Sequence, residues 1–118
     1  MTNEEFNEQF SARSQQFAVA ILLFVETLPF NTATKVLGTQ LLRSGTSVGA
    51  NFRAFRRSRS QNERFAKICI VVEEADETLY WFDLIKELAC VDKPIVDKLN
   101  AEGLEILKIV SSIKNNLY

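Results

Sequence analysis

Between Arg43 and Lys67 the chain carries Arg43, Arg53, Arg56, Arg57, Arg59, Arg64 and Lys67 against Glu63 alone, a local charge of +6 in a protein whose net charge is −1. Six of the seven arginines stand in this one segment, and the rest of the chain holds −7. A surface built only for solubility mixes its signs, so the clustering calls for a chemical reason. Arginine presents a planar fork of donors that meets phosphate oxygens two at a time. The chemistry that the cluster suits is therefore contact with phosphate, which gives affinity without reading bases. The competing use is pairing with the acidic remainder of the same chain or of a neighbouring copy.

A second constellation sets Glu73, Glu74 and Glu77 beside Tyr80 and Trp81. Helical bundles hold paired metals with carboxylates, but such sites add a Glu-x-x-His motif, and this chain has no histidine. No metal or other cofactor is expected, and the carboxylates should bond polar groups or arginines of adjacent helices. Tyr80 and Trp81 read as core or interface anchors rather than base-stacking platforms. Without histidine there is no imidazole base, no Cys–His pair, and no Arg…His pair of the kind that serves helical ribonucleases. The expectation is a non-catalytic protein. Cys69 falls near an apolar face and Cys90 in a turn; both are expected as reduced thiols.

The stretch "RSGTSVGANFRAFRRSRS" (residues 43–60) looks at first like a phosphate-cradling loop. It lacks the lysine-plus-hydroxyl ending of a P-loop and has no strand before it. Leu37, Leu41, Ser44, Val48, Asn51 and Phe55 instead step by four and three, a rhythm that predicts continuous helix from about Thr32 to Arg57. Gly38, Gly45 and Gly49 form an adjacent stripe. Each costs a helix about 1 kcal/mol relative to alanine, which predicts a close approach by a neighbouring helix. On this helix Arg43, Arg53 and Arg57 fall within about an 80° arc opposite the apolar seam, facing solvent or a partner. Asn51, on the seam, is expected to set packing register as buried amides do in coiled coils.

The same spacing organises the remaining chain. Phe6, Phe10, Arg13, Phe17, Ala20 and Phe24 form a first seam, ended by Pro29. Phe65, Ile68, Val72, Ala75, Leu79 and Phe82 form a third after a capping-box signal at Ser60 and Glu63. Val96, Leu99, Gly103, Ile106, Val110, Ile113 and Leu117 form a fourth after Asp92 and Pro94. Thr32 is the expected cap of the second. Four segments with short links predict an all-α, antiparallel up-down-up-down four-helix bundle in a single domain spanning residues 1–118. Val71, Thr78, Ile85 and the glycine stripe lie off the main seams, a surplus that suggests self-association.

An apolar share of 47% with only two prolines and four glycines fits an ordered helical domain rather than a disordered chain. The acidic start "MTNEEFNEQF" lacks a secretory signal, and the longest apolar run, Phe17–Val25, is too short to span a bilayer. A cytoplasmic protein without a membrane partner or small-molecule substrate is expected.

The motifs "QLLRSGTSVGAN" (residues 40–51) and "EEADETLYW" (residues 73–81), with Phe65 and Lys67 between them, resemble the bacterial four-helix-bundle family encoded in intervening sequences of 23S rRNA genes, also described as an S23-type ribosomal protein family. The likeness is most specific over residues 37–85. It implies a left-handed bundle and a ring-like homo-oligomer, a pentamer first of all. The accessory bundle protein of diversity-generating retroelements looks like a relative, and that likeness implies nucleic-acid binding. In "NFRAF", Ala54 stands where the family usually has glutamate and Phe55 where it usually has alanine. The leading expectation is an oligomeric bundle that binds rRNA or another nucleic acid through Arg43–Lys67. The alternative is a protein-interaction scaffold whose arginines serve subunit contacts.

Overall fold

The computed structural model describes residues 1–117 of the chain. Four helices account for most of them: α1 (Asn3–Glu26), α2 (Thr32–Arg56), α3 (Gln61–Ile85) and α4 (Lys93–Asn115), with no strand among the described residues. The protein is all-α, a four-helix bundle. The glycine-containing stretch is helix as far as Arg56, as its apolar spacing predicts, and its last four residues form the link to α3.

Local chemistry sets the helix ends. The Thr2 side chain accepts from the Glu5 amide at 3.1 Å and opens α1. At α2 the cap is Asn31, one residue before the expected Thr32. Asn31 Oδ1 accepts from the Thr34 amide at 3.0 Å while the Asn31 amide donates to Thr34 Oγ1 at 3.1 Å, a reciprocal capping box. At α3 only half of the expected box forms: Ser60 Oγ accepts from the Glu63 amide at 3.1 Å. Asp92 occupies the cap position of α4 without a side-chain hydrogen bond, and Pro94 sits in the first turn.

The broadest pairing is α2 with α3; α1 lies on α2, α4 lies on α3, and the α1–α4 contact is the sparsest. The core runs through Phe17 and Ile21 of α1, Leu41 and Phe52 of α2, Ile68 and Phe82 of α3, and Val96 and Ile106 of α4. Phe10 meets Phe52 edge-on at 4.7 Å between ring centres, and Phe52 lies 5.4 Å from Phe55.

The off-seam residues have an intrachain use. Val71, Thr78 and Ile85 are fully buried, while Val72 and Leu79 of the expected seam are half-buried. A helix packed on two neighbours needs a wider apolar arc than one stripe supplies. The glycine stripe faces α1. A methyl group at Gly45 would lie 2.5 Å from Ile21 Cδ1, one at Gly38 would lie 3.2 Å from Val25 Cγ1, and one at Gly49 would lie 3.4 Å from Ser14 Oγ. The predicted close neighbour is thus α1 of the same chain, and neither stripe is left over for a second copy.

Candidate nucleic-acid interface

The arginines divide by what they touch. Arg43 extends from α2 across to α3, where it is ion-paired with Glu77 and lies 3.3 Å from Glu74 Oε2. Its Nε donates to Gln40 Oε1 at 3.2 Å. The arc expected to face solvent or a partner therefore loses one of its three members to an intrachain pair, because two acidic side chains on α3 come within its reach. Glu73 is exposed and joins no ion pair among the described residues.

Arg56 turns back to α1, donating to Ser11 Oγ at 3.0 Å and to Glu4 Oε1 at 2.8 Å. Arg64, in the first turn of α3, places its guanidinium 4.4 Å from the centre of the Phe55 ring. Phe55 fills the core beneath that cation. Arg53, Arg57 and Arg59 are exposed, and none makes an ion pair among the described residues; Lys67 is half-buried and likewise makes none. Arg53 and Arg57 stand one turn apart and, with Arg56, line a groove of about 710 Å³ between α1 and α2. Ser11, Gln15 and Thr46 also line it, with Gly49, which has no side chain, and the small Ala50 alongside.

Asn51 and Trp81, also nominated, are half-buried. Among the described residues Asn51 makes no hydrogen bond to another helix; its Nδ2 donates to the Ser47 carbonyl at 2.9 Å, one turn back on α2. A serine–threonine pair crosses the α2–α3 interface instead: Thr78 Oγ1 lies 2.9 Å from Ser44 Oγ, both fully buried. Trp81 is half-buried against the core, its Nε1 enclosed without an acceptor among the described residues. Tyr80, its neighbour, is exposed, and the two rings meet edge-on at 5.0 Å. No group of three or more Cys, Asp or Glu side chains among the described residues is placed to hold a metal ion. Cys69 is half-buried and Cys90 exposed, both as free thiols.

Sequence reading passed over one cross-bundle pair. Arg13 donates from Nε to Glu102 Oε2 at 2.8 Å and from Nη2 to Glu102 Oε1 at 2.6 Å, joining α1 to α4. These hydrogen bonds, the largest cause, raise the Arg13 pKa above its ordinary value. The signal was the charged residue standing on an otherwise apolar seam. Beside this pair lies a second groove, of about 730 Å³ and largely apolar, between Phe17, Ala20 and Leu23 of α1 and Ile95 and Leu99 of α4. No helix among the described residues is long and apolar enough to cross a membrane.

An all-α bundle with cations gathered around one interhelical link defines a class of small helical protein. The family model of the 23S rRNA-intervening sequence protein matches residues 7–112, and the chain belongs to that family. Its fold is similar to the crystal structure of a protein of unknown function from the S23 ribosomal protein family of Bacteroides thetaiotaomicron VPI-5482. The two share 31% identity and a TM-score of 0.83, over 93% of this chain and 98% of that one. No curated protein matches the chain.

Proposed function

We propose that this protein is a non-catalytic, cytoplasmic bundle that assembles with copies of itself and binds RNA through the basic segment from Arg43 to Lys67. The observation that carries this reading is the set of exposed guanidinium groups, Arg53, Arg57 and Arg59, clustered around the α2–α3 link without a carboxylate partner among the described residues. Unpaired cations close together raise the local potential and attract a polyanion. The family's association with 23S rRNA intervening sequences favours RNA as that polyanion.

The same reading takes the helices as alternating in direction within a left-handed bundle. Links of five, four and seven residues support the alternation, as does the way Gly38, Gly45 and Gly49 meet Val25, Ile21 and Ser14 in descending order. Self-association is supported by the apolar α1–α4 groove, and the family likeness favours a ring of five. The test is titration with RNA across a salt series, read beside native mass with and without RNA. Binding that weakens linearly with the logarithm of salt is expected. Undetectable binding at low salt, or affinity indifferent to salt, overturns the proposal.

A scaffold reading remains as the second, favoured by one observation: Arg43 and Arg56 both already bond carboxylates of their own chain. It predicts that charge reversal at Arg53 and Arg57 breaks the assembly and leaves any RNA binding untouched.

A further inference from the structure

We infer that the groove between α1 and α2 holds the phosphodiester backbone of the RNA without reading its bases, and that Glu4 competes with phosphate there for Arg56. The inference rests on the RNA-binding reading above and narrows it from seven cations to three.

The groove has the shape and lining for a backbone. Arg53, Arg56 and Arg57 line it from α2, and Ser11, Gln15 and Thr46 add neutral polar groups, the side-chain types that commonly contact phosphate and sugar. Gly49, Ala50 and Ala18 leave the space between the helices unfilled. From Glu4 to Ala18 the groove follows α1 for about 21 Å, at 1.5 Å per residue, room for an extended strand rather than a lone anion. No aromatic side chain among the described residues lines it. Without a ring to stack on, a base gains little by entering, so contacts fall on the backbone.

Glu4 is the sole carboxylate among the described residues that line it. Its side chain is 77% exposed, whereas that of Arg56 is 25% exposed. An ion pair with one arm in open water is weak, and a phosphate offers Arg56 a stronger, two-point contact. When phosphate takes Arg56, Glu4 keeps its favourable place in the first turn of α1. Arg43 stands apart from this groove, engaged with Glu74 and Glu77.

The test measures fluorescence anisotropy of 15-nucleotide oligo-U and oligo-A RNAs with the full chain, across a potassium chloride series. Arg53→Gln/Arg57→Gln should weaken binding at least tenfold at low salt. It should also flatten the salt slope by about 1.4, at roughly 0.7 per phosphate contact for a single strand. Glu4→Gln should tighten binding about two- to threefold, and Arg43→Gln should leave it within about twofold. The two RNAs should bind within about twofold of each other. Circular dichroism checks folding, and Arg57→Gln alone, at the exposed C-cap of α2, should give about half the slope change. Wild-type binding that the double variant leaves unaltered in affinity and slope overturns the groove and leaves RNA binding standing. A marked preference between the two RNAs overturns the backbone-only reading, and an unchanged Glu4→Gln overturns the competition. A wild-type protein that binds neither RNA overturns the broader proposal as well.

Discussion

Thr78 on α3 and Ser44 on α2 bring their hydroxyls to 2.9 Å in the middle of the bundle, where both residues are shut off from water. Each also reaches its own helix: Thr78 Oγ1 lies 2.7 Å from the Glu74 carbonyl, and Ser44 Oγ lies 3.3 Å from that of Leu41. A polar contact inside an apolar interface is satisfied in one register and stranded in its neighbours. Thr78→Val should cost about 1–2 kcal/mol, because it leaves the Ser44 hydroxyl without its cross-helix partner. The double variant with Ser44→Ala should cost less than the sum of the two single changes. Urea unfolding with an unchanged slope would check both.

Two glycines on the same stripe should respond in opposite senses. At Gly49 an added methyl meets Ser14 at ordinary contact distance, so Gly49→Ala should stabilise by up to about 1 kcal/mol through helix propensity. At Gly45 even a methyl presses on fully buried Ile21. Gly45→Val should therefore destabilise by about 1–3 kcal/mol through overpacking. Melting temperatures moving the same way for both variants would contradict the close approach of α1.

The Arg13–Glu102 pair should contribute modestly and in a salt-dependent way. Its side chains are 39% and 34% exposed, so Arg13→Gln should cost about 0.5–1 kcal/mol despite the two-point geometry. The difference from wild type should narrow at about 1 M salt. A pKa raised by folding gives stability that is complete below the unfolded value and is lost only as pH climbs through the higher folded one. The guanidinium thus adds no slope to stability between about pH 6 and 9. Paired denaturation curves at low and high salt provide the check.

Assembly, where it occurs, should depend on the α1–α4 face. Leu23 is 56% exposed at the rim of the apolar groove, so Leu23→Asp should leave the thermal stability of the single chain near wild type and reduce the native mass to that of one chain. An assembly that survives this change would place the contact elsewhere.

The helices were legible because apolar residues recur at threes and fours and because Pro29, Ser60 and Pro94 mark boundaries. The fourth seam matches the buried line from Val96 to Val110. Partners were less legible than elements. Periodicity places Arg43 on an outward arc but cannot say that Glu74 and Glu77 lie within its reach on another helix. The amide of Asn51 stood on a seam, yet the shorter hydroxyl of Ser44 is the one that accepts from Thr78 across the interface, while Asn51 donates to a carbonyl of its own helix. Val71, Thr78 and Ile85 seemed surplus only because a single stripe was allowed for a helix that touches two neighbours.

The sparse α1–α4 seam has a kinetic consequence. Its tie, Arg13 to Glu102, joins residues 89 positions apart, so closing it demands the largest loss of chain freedom. The α2–α3 hairpin, linked by four residues and sharing the broadest interface, is the natural nucleus. Docking of the first helix onto the last then comes late, and amides along that edge should be the first to exchange with deuterated solvent.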